Sequence, residues 1–395
     1  MKEINSFVNH LLETSTPSKP AWNIEHTLQK KEPKWNYVDG CMMKAVFDLY
    51  DVTRDKKYFA FAKNYMDEYI GTDGSLKGYE VEEYNCDHIN MGKMLFRLYH
   101  ASTNEKEKYQ RAIALQYSQL KTHPRIDAGN FWHKKIYPHQ VWLDGLYMVQ
   151  PFYLEYETTF NNNKNINDIF TQFKNVYDIM RDPKTGLYFH GYDESREIFW
   201  ADKVSGLSPN FWTRSIGWFA MALVDTLEKM ENAPERVFMQ KILHELMDAS
   251  WAFKDAETNL FFQVTDQGTR KGNYLETSGS CAIAYALMKG ARLGLLPEFY
   301  YDRGEAVFDS VVFHKLTQPQ ISSKSAMHSN FVLKDVCLVA GLGGMPGHGD
   351  YKPRDGTYEY YISEPRVNND AKGVAPFLYA YAETLHHSHH LKGEF

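Results

Sequence analysis

Cysteine is scarce. Cys41, Cys86, Cys281 and Cys337 are spread through 395 residues with no C-x-x-C pair, which excludes a disulfide framework or a zinc knuckle and predicts buried thiols in a reducing compartment. Proline and glycine are also few, at 15 and 25 residues, so collagenous and low-complexity chains are excluded. Long apolar runs are missing. The longest stretch free of charged, amide and histidine side chains, Val336 to Gly347, is about twelve residues against the ~18 that a membrane-spanning helix needs. The opening MKEINSFVNHLLETS follows its single early lysine with Glu3 and breaks its apolar stretch at Asn9 and His10, unlike a secretory leader. The expectation is a cytoplasmic protein with no membrane partner. Positive charge is not in excess either: 44 Lys and Arg stand against 50 Asp and Glu, for a net charge of −6. With no basic patch, a nucleic-acid partner is excluded.

What the chain does contain is core material: 43% of residues are hydrophobic and 15% aromatic. This material repeats. Six segments share an acidic or polar residue, a glycine and then an apolar helical run: YVDGCMMKAVFDLY, DHINMGKMLFRLYH, WLDGLYMVQPFYLEY, RSIGWFAMALVDTL, ETSGSCAIAYALM and DAKGVAPFLYAYAETL, with the glycines at Gly40, Gly92, Gly145, Gly217, Gly279 and Gly373. Runs apolar on nearly every face read as buried inner helices. Between them lie charged amphipathic stretches such as DKKYFAFAKNYMDEYI and INDIFTQFKNVYDIM, which read as outer helices. The sixth inner run, Asp370 to Leu385, is expected to take its outer partner from Lys2 to Leu12, joining the termini. A second repeat, RDPKTGLYFHGYD at 181–193 and KDAETNLFFQVTD at 254–266, with DAGNFWHKK at 127–135 as a looser relative, predicts short extended segments or hairpins leading into the inner helices. Trp132, His133, Tyr188 and His190 are thereby expected at the end where the inner helices begin. The predicted fold is all-α, an (α/α)6 barrel forming one domain over residues 1–395. The helical period disappears from about Leu316 to Asn369, where a long, Gly-rich, largely irregular loop is expected.

A mouth lined by aromatic rings with a few polar groups suits carbohydrate, because rings stack on sugar faces. Asp144, in HQVWLDGLYM, and Asp87, in NCDHIN, open two successive inner helices, and each is either an acid facing the mouth or an N-terminal cap. Two carboxylates invite the ordinary glycosidase reading. Arg214, flanked by Trp212 and Trp218 in FWTRSIGW, suits a substrate carboxylate; its alternative is an internal salt bridge. Two weaker signals are discounted. GLGGMPGHG lacks the residues of a P-loop or dinucleotide site. HHSHH at 386–390 lies beyond the last expected core turn and lacks carboxylate or cysteine ligands for a metal.

NCDHIN, GNFWHK, HQVWLDGLYM, YFHGYD, FWTRSIGW and LETSGS, in this order on a six-fold helical repeat, resemble the unsaturated rhamnogalacturonyl hydrolases, glycoside hydrolase family 105, and more distantly the unsaturated glucuronyl hydrolases of family 88. The resemblance runs from about Trp35 to Leu385. It implies removal of a 4,5-unsaturated uronic acid from the non-reducing end of lyase-generated oligosaccharides, through protonation and hydration of the enol-ether double bond. It also implies that Asp144 is the general acid and base and Asp87 a second catalytic carboxylate. The uronate pocket is implied to consist of His133, Trp142, His190, Trp212, Arg214 and Trp218, with no metal or organic cofactor. A sugar-binding protein without catalysis, or an epimerase resting on His133 and His190, are the competing readings on the same barrel.

Overall fold

The structure, a computed structural model, describes residues 2–29, 32–231, 233–318, 331–344 and 353–392. Along the chain, α1 (Lys2–Thr14) and the short α2 (Ile24–Gln29) precede α3 (Tyr37–Thr53) and α4 (Lys56–Asp67); α5 (Leu95–Ala101) and α6 (Lys106–Thr122) follow. Then come α7 (Leu143–Phe160), α8 (Ile166–Met180), α9 (Thr213–Lys229), α10 (Pro234–Ala252), α11 (Thr277–Arg292), α12 (Phe299–Lys315), α13 (Tyr358–Ser363) and α14 (Ala371–Lys392). The inner elements α3, Cys86–Ala101, α7, α9, α11 and α14 each pack on the next, and α14 returns to α3, closing the ring. Helices α4, α6, α8, α10 and α12 lie outside their inner partners. The sixth outer position belongs to α1: Phe7 packs edge-on to Phe377 of α14 at 6.3 Å, and the Tyr381 hydroxyl donates to Asn5 at 3.1 Å. The all-α barrel expected from the repeats is the observed fold.

The repeated glycines mark close approaches between inner elements. A Cβ on Gly217 would stand 2.6 Å from the Ala282 Cβ of α11, and one on Gly40 would stand 2.7 Å from the Met91 Cα. The Asp-x-x-Thr repeat has an equally local cause. Asp182 Oδ2 accepts from the Thr185 amide and hydroxyl at 3.0 and 2.7 Å, and Asp255 does the same with Thr258 at 2.8 and 2.7 Å. Each Asp thereby builds the turn that sends the chain from an outer helix back toward the barrel mouth.

Three expectations need correction. The second inner element does not start as an α-helix: Cys86–Met94 is 3-10 before α5 begins. There the His88 carbonyl is drawn sideways, accepting from the Trp35 indole at 2.9 Å and the Gln116 amide at 2.6 Å, so side chains from neighbouring elements compete with the α-helical pattern. The segment after Leu316 is not a plain loop in its described parts. β3 (Leu316–Thr317) pairs antiparallel with β4 (Val332–Leu333), β5 (Val336–Cys337) pairs with β6 (Arg366–Val367), and α13 lies between β5 and β6 in sequence. Short pieces with few repeating contacts leave no period to read. Most of the GLGGMPGHG run lies outside the described residues. The HHSHH run, expected beyond the last core turn, continues the helix as the last turns of α14, where His387 stacks on Tyr301 at 4.1 Å.

No helix among the described residues is long and apolar enough to cross a membrane. The inner helices run parallel, so their first turns share one end of the barrel. At the opposite end buried charges are paired: the Lys289 ammonium lies 2.7 Å and the Tyr285 hydroxyl 2.6 Å from Asp225.

Gly217→Ala forces its new methyl group into α11, and overpacking of a tight core costs about 1–3 kcal/mol. The expected outcome is a lower thermal unfolding midpoint than wild type, measured by circular dichroism.

Candidate active site

The first turns of the inner helices and the segments leading into them frame a cleft of about 570 Å³, floored by Asp87, His133, Trp142, Asp144, Trp212, Arg214 and Trp218. Two connecting segments are tied together beneath it. β1 (Gln140–Trp142) pairs antiparallel with β2 (Gly191–Asp193), with Trp142 opposite Gly191, which brings Trp142 and Asp144 next to His190. Neither acid is the cap it could have been. Trp142 occupies the N-cap of α7 and Asp144 lies inside its first turn, while Asn85 caps the preceding inner element, Cys86–Met94, and accepts from the Asp87 amide at 3.0 Å. Both carboxyl groups are therefore free to face the cleft.

Their surroundings differ. Asp87 is 8% exposed; Lys134 Nζ lies 2.5 Å from its Oδ2 and His133 Nε2 lies 3.6 Å from its Oδ1. Burial pushes the Asp87 carboxyl up, but the Lys134 ammonium and the His133 ring outweigh it and hold the group below the ordinary carboxylate range. Burial pushes the His133 imidazole down to about 4, so the ring is neutral near neutrality. It stacks on Trp142 at 4.3 Å, with Tyr137 on Trp142 at 5.0 Å. Gly145 gives it room, since a Cβ there would press on His133 Nδ1 at 3.2 Å.

Asp144 has no such ammonium. Its Oδ2 is buried 3.2 Å from His190 Nε2, without a well-directed hydrogen bond between them. The carboxyl side chain retains 15% exposure, which leaves Oδ1 as the oxygen facing the cleft. His190 is fully buried; its Nδ1 meets the Tyr361 hydroxyl at 2.8 Å and its ring lies 4.8 Å from Trp212.

Arg214 is 2% exposed and makes no salt bridge among the described residues. Its Nη1 donates to the Cys337 carbonyl and its Nη2 to the Leu338 carbonyl at 3.4 Å, its guanidinium sits 4.6 Å from the Trp212 ring, and its Nε is left without a partner. Glu276 supplies the mooring. This residue of the LETSGS motif accepts from the Ser278 and Gly279 amides that start α11 and from the Cys337 amide at 3.0 Å. The cleft thus keeps a buried cation with no carboxylate in salt-bridge contact among the described residues, Glu276 and Asp370 acting on it only from farther away.

Of the residues expected at this end, Trp132 packs against His139 at 4.8 Å and Tyr188 turns into the core against Phe219 at 4.8 Å, so neither lines the cleft. In the GLYFHGYD segment His190 is also off the cleft lining: it is buried beneath the floor, where it reaches Asp144 and Trp212. Sequence reasoning missed Lys134, although it sits inside the quoted GNFWHK motif, and also Tyr361 and the carbonyls of Cys337 and Leu338, which no local pattern marks.

A helical barrel with an aromatic-walled cleft, one paired acid and one free acid defines a carbohydrate-active hydrolase scaffold. The chain belongs to Glycosyl Hydrolase Family 88, whose sequence model matches residues 12–388, and it is a glycoside hydrolase. A solved glycoside hydrolase of family 105 from Clostridium acetobutylicum, C. acetobutylicum ATCC 824, is 39% identical and superposes with a TM-score of 0.85 over 96% of this chain and 97% of that one. A 24.9 kDa protein in the picA locus of Rhizobium radiobacter is 39% identical over 238 residues, 60% of this chain and 97% of the relative. The unsaturated rhamnogalacturonyl hydrolase YesR of Bacillus subtilis is 26% identical over 265 residues, 66% of this chain and 72% of the relative.

Lys134→Met removes the ammonium that keeps Asp87 ionised, so the Asp87 carboxyl should titrate at higher pH than in wild type, read by carboxyl carbon NMR. A second pH effect follows from His88, His123 and His133, each pushed down to about 4, first of all by burial. The unfolded chain takes up these protons near pH 6.5 and the folded chain only near 4. The stability they contribute is therefore complete above about pH 6.5 and is lost as pH falls toward 4. Denaturant unfolding at pH 7 and pH 5 should show lower stability at pH 5.

Proposed function

We propose that the enzyme removes a 4,5-unsaturated uronic acid from the non-reducing end of oligosaccharides left by polysaccharide lyases, with rhamnogalacturonan fragments of pectin as its substrates. The observation that carries this reading is the asymmetry of the two acids on the cleft floor. Asp87 is committed to Lys134, whereas Asp144 faces the cleft with no cation on it among the described residues. Ordinary glycoside cleavage needs two working carboxyl groups. Hydration of a vinyl ether needs one, because the same group serves both half-steps. In the first, Asp144 gives its proton to carbon 4 of the sugar. In the second, water adds its oxygen to carbon 5 and returns a proton to Asp144. The hemiketal so formed rearranges and releases the next sugar. Asp87, kept ionised, acts as the second carboxylate by orienting substrate and water rather than by donating a proton.

The uronate carboxylate pairs with Arg214, which makes no salt bridge among the described residues and lies against Trp212. Trp142 and Trp218 supply stacking faces and His133 presents an edge to the sugar hydroxyls, while His190, buried beneath the lining, backs Asp144 rather than touching the sugar. Rhamnose as the following sugar is supported by the name of the B. subtilis relative. Residues 1–395 act as one catalytic unit, with no cofactor taking part. Four buried, unpaired cysteines suit a cytoplasmic setting.

The conjugated double bond absorbs in the ultraviolet, and hydration destroys that absorbance. Wild-type protein should abolish the absorbance of unsaturated rhamnogalacturonan disaccharide faster than that of the other lyase products in a panel. Asp144→Asn should slow the loss by about 10²–10⁴-fold. Full turnover by Asp144→Asn would remove the residue from its role, and turnover of saturated oligosaccharides alone would overturn the reaction class.

A further inference from the structure

Helix α13 brings Tyr361 from the far end of the sequence into contact with His190, and nothing in the reaction as described so far uses it. Tyr361 is fully buried, its ring packs nearly parallel to Trp212 at 6.0 Å, and its hydroxyl lies 2.8 Å from His190 Nδ1. On the other side of the same imidazole, Nε2 lies 3.2 Å from Asp144 Oδ2. The three groups form a line from the fold's interior to the cleft.

We propose that Tyr361 is a positioning residue that sets the His190 tautomer: its hydroxyl donates to Nδ1, the ring carries its proton on Nε2 toward Asp144 Oδ2, and the transferable proton of Asp144 is confined to the cleft-facing Oδ1. The use of that proton rests on the functional reading above; the tautomer does not.

Two arguments fix the direction of the chain. Among the described residues the Tyr361 hydroxyl has no hydrogen-bond partner other than His190 Nδ1. If Nδ1 were the donor, the buried phenol O–H would have no acceptor, and the Nε2 lone pair would face a carboxylate oxygen. Burial, above all, also pushes the Tyr361 phenol well above its ordinary range, so it keeps its proton. The titratable groups around His190 are Asp144 and Tyr361 in contact, with His133 across the Trp142 ring. No ammonium touches it. The consequence is chemical. An Nε2–H held 3.2 Å from Oδ2, even without a well-directed hydrogen bond, leaves no lone pair there to receive an acid proton from Oδ2, so the proton that travels to carbon 4 and the one that returns from water both pass through Oδ1. Without the Tyr361 hydroxyl either tautomer is available, and an Nδ1–H ring draws the acid proton onto Oδ2, away from the sugar.

The test uses the full chain with ¹⁵N-labelled histidine, the His190 resonances being assigned by their loss in His190→Gln. In wild type, long-range proton–nitrogen spectra should show His190 protonated on Nε2 and bare on Nδ1. In Tyr361→Phe, which keeps the ring against Trp212, the nitrogen shifts should move toward a tautomer mixture. With unsaturated disaccharide, kcat should fall about tenfold or more while KM stays within about twofold. A wild-type ring protonated on Nδ1 overturns the proposal, whether or not the variant folds. So does a Tyr361→Phe protein whose tautomer is unchanged, even with a reduced kcat, since lost packing alone would do that. A wild-type protein with the expected tautomer that leaves the ultraviolet absorbance untouched overturns the functional reading instead and leaves the tautomer assignment standing.

Discussion

The Lys134 ammonium sits on Asp87 at 2.5 Å, and the division of labour in the cleft depends on that contact. A carboxylate taken out of water costs several kcal/mol unless it is paired. Pairing lets Asp87 remain ionised on the floor of a narrow aromatic cleft and removes it from the set of proton donors. Asp144 lies beside the His190 ring rather than an ammonium among the described residues, which is the contrast the proposed chemistry rests on. The same pairing logic makes Arg214 conspicuous. Backbone carbonyls hold its guanidinium in place but carry no full negative charge to neutralise it, and the proposed uronate carboxylate would supply that charge.

The barrel explains why these groups meet. Six parallel inner elements bring their N-terminal ends to one rim, so their unsatisfied amides and aligned dipoles favour negative charge there. Close approach at Gly217 and Gly40 draws the inner ring tight, and Gly145 lets the His133 ring lie against the start of α7. The connecting segments then act as a second layer: β1 and β2 pair beneath the mouth, and their register places Trp142 beside Gly191 and hence Asp144 beside His190.

The third layer comes from the segment after Leu316. Glu276 ends the approach to α11 and also receives the Cys337 amide, so one carboxylate both starts a helix and moors the strand whose carbonyls hold Arg214. Helix α13 adds Tyr361 behind His190. The described residues of this segment are thus built into the wall of the cleft, with Gly341 and Arg354 on the cleft surface.

The sequence by itself determined the barrel, because six apolar runs that each need burial on nearly every face have few ways to be buried other than against one another. It also marked the residues at inner-helix starts, Asp87, Asp144 and Arg214, since a repeat places equivalent positions at equivalent heights, and the spacing of GLYFHGYD brought His190 to the same rim. It did not reveal that Lys134 is spent on Asp87, that Tyr188 turns inward, that the His88 carbonyl draws its element into 3-10 form, or that Tyr361 stands behind His190. Those outcomes belong to tertiary structure. Each depends on which side chain from a distant element reaches an atom first, with Tyr361 and His190 lying 171 positions apart, and neither periodicity nor a local motif carries information across such a gap.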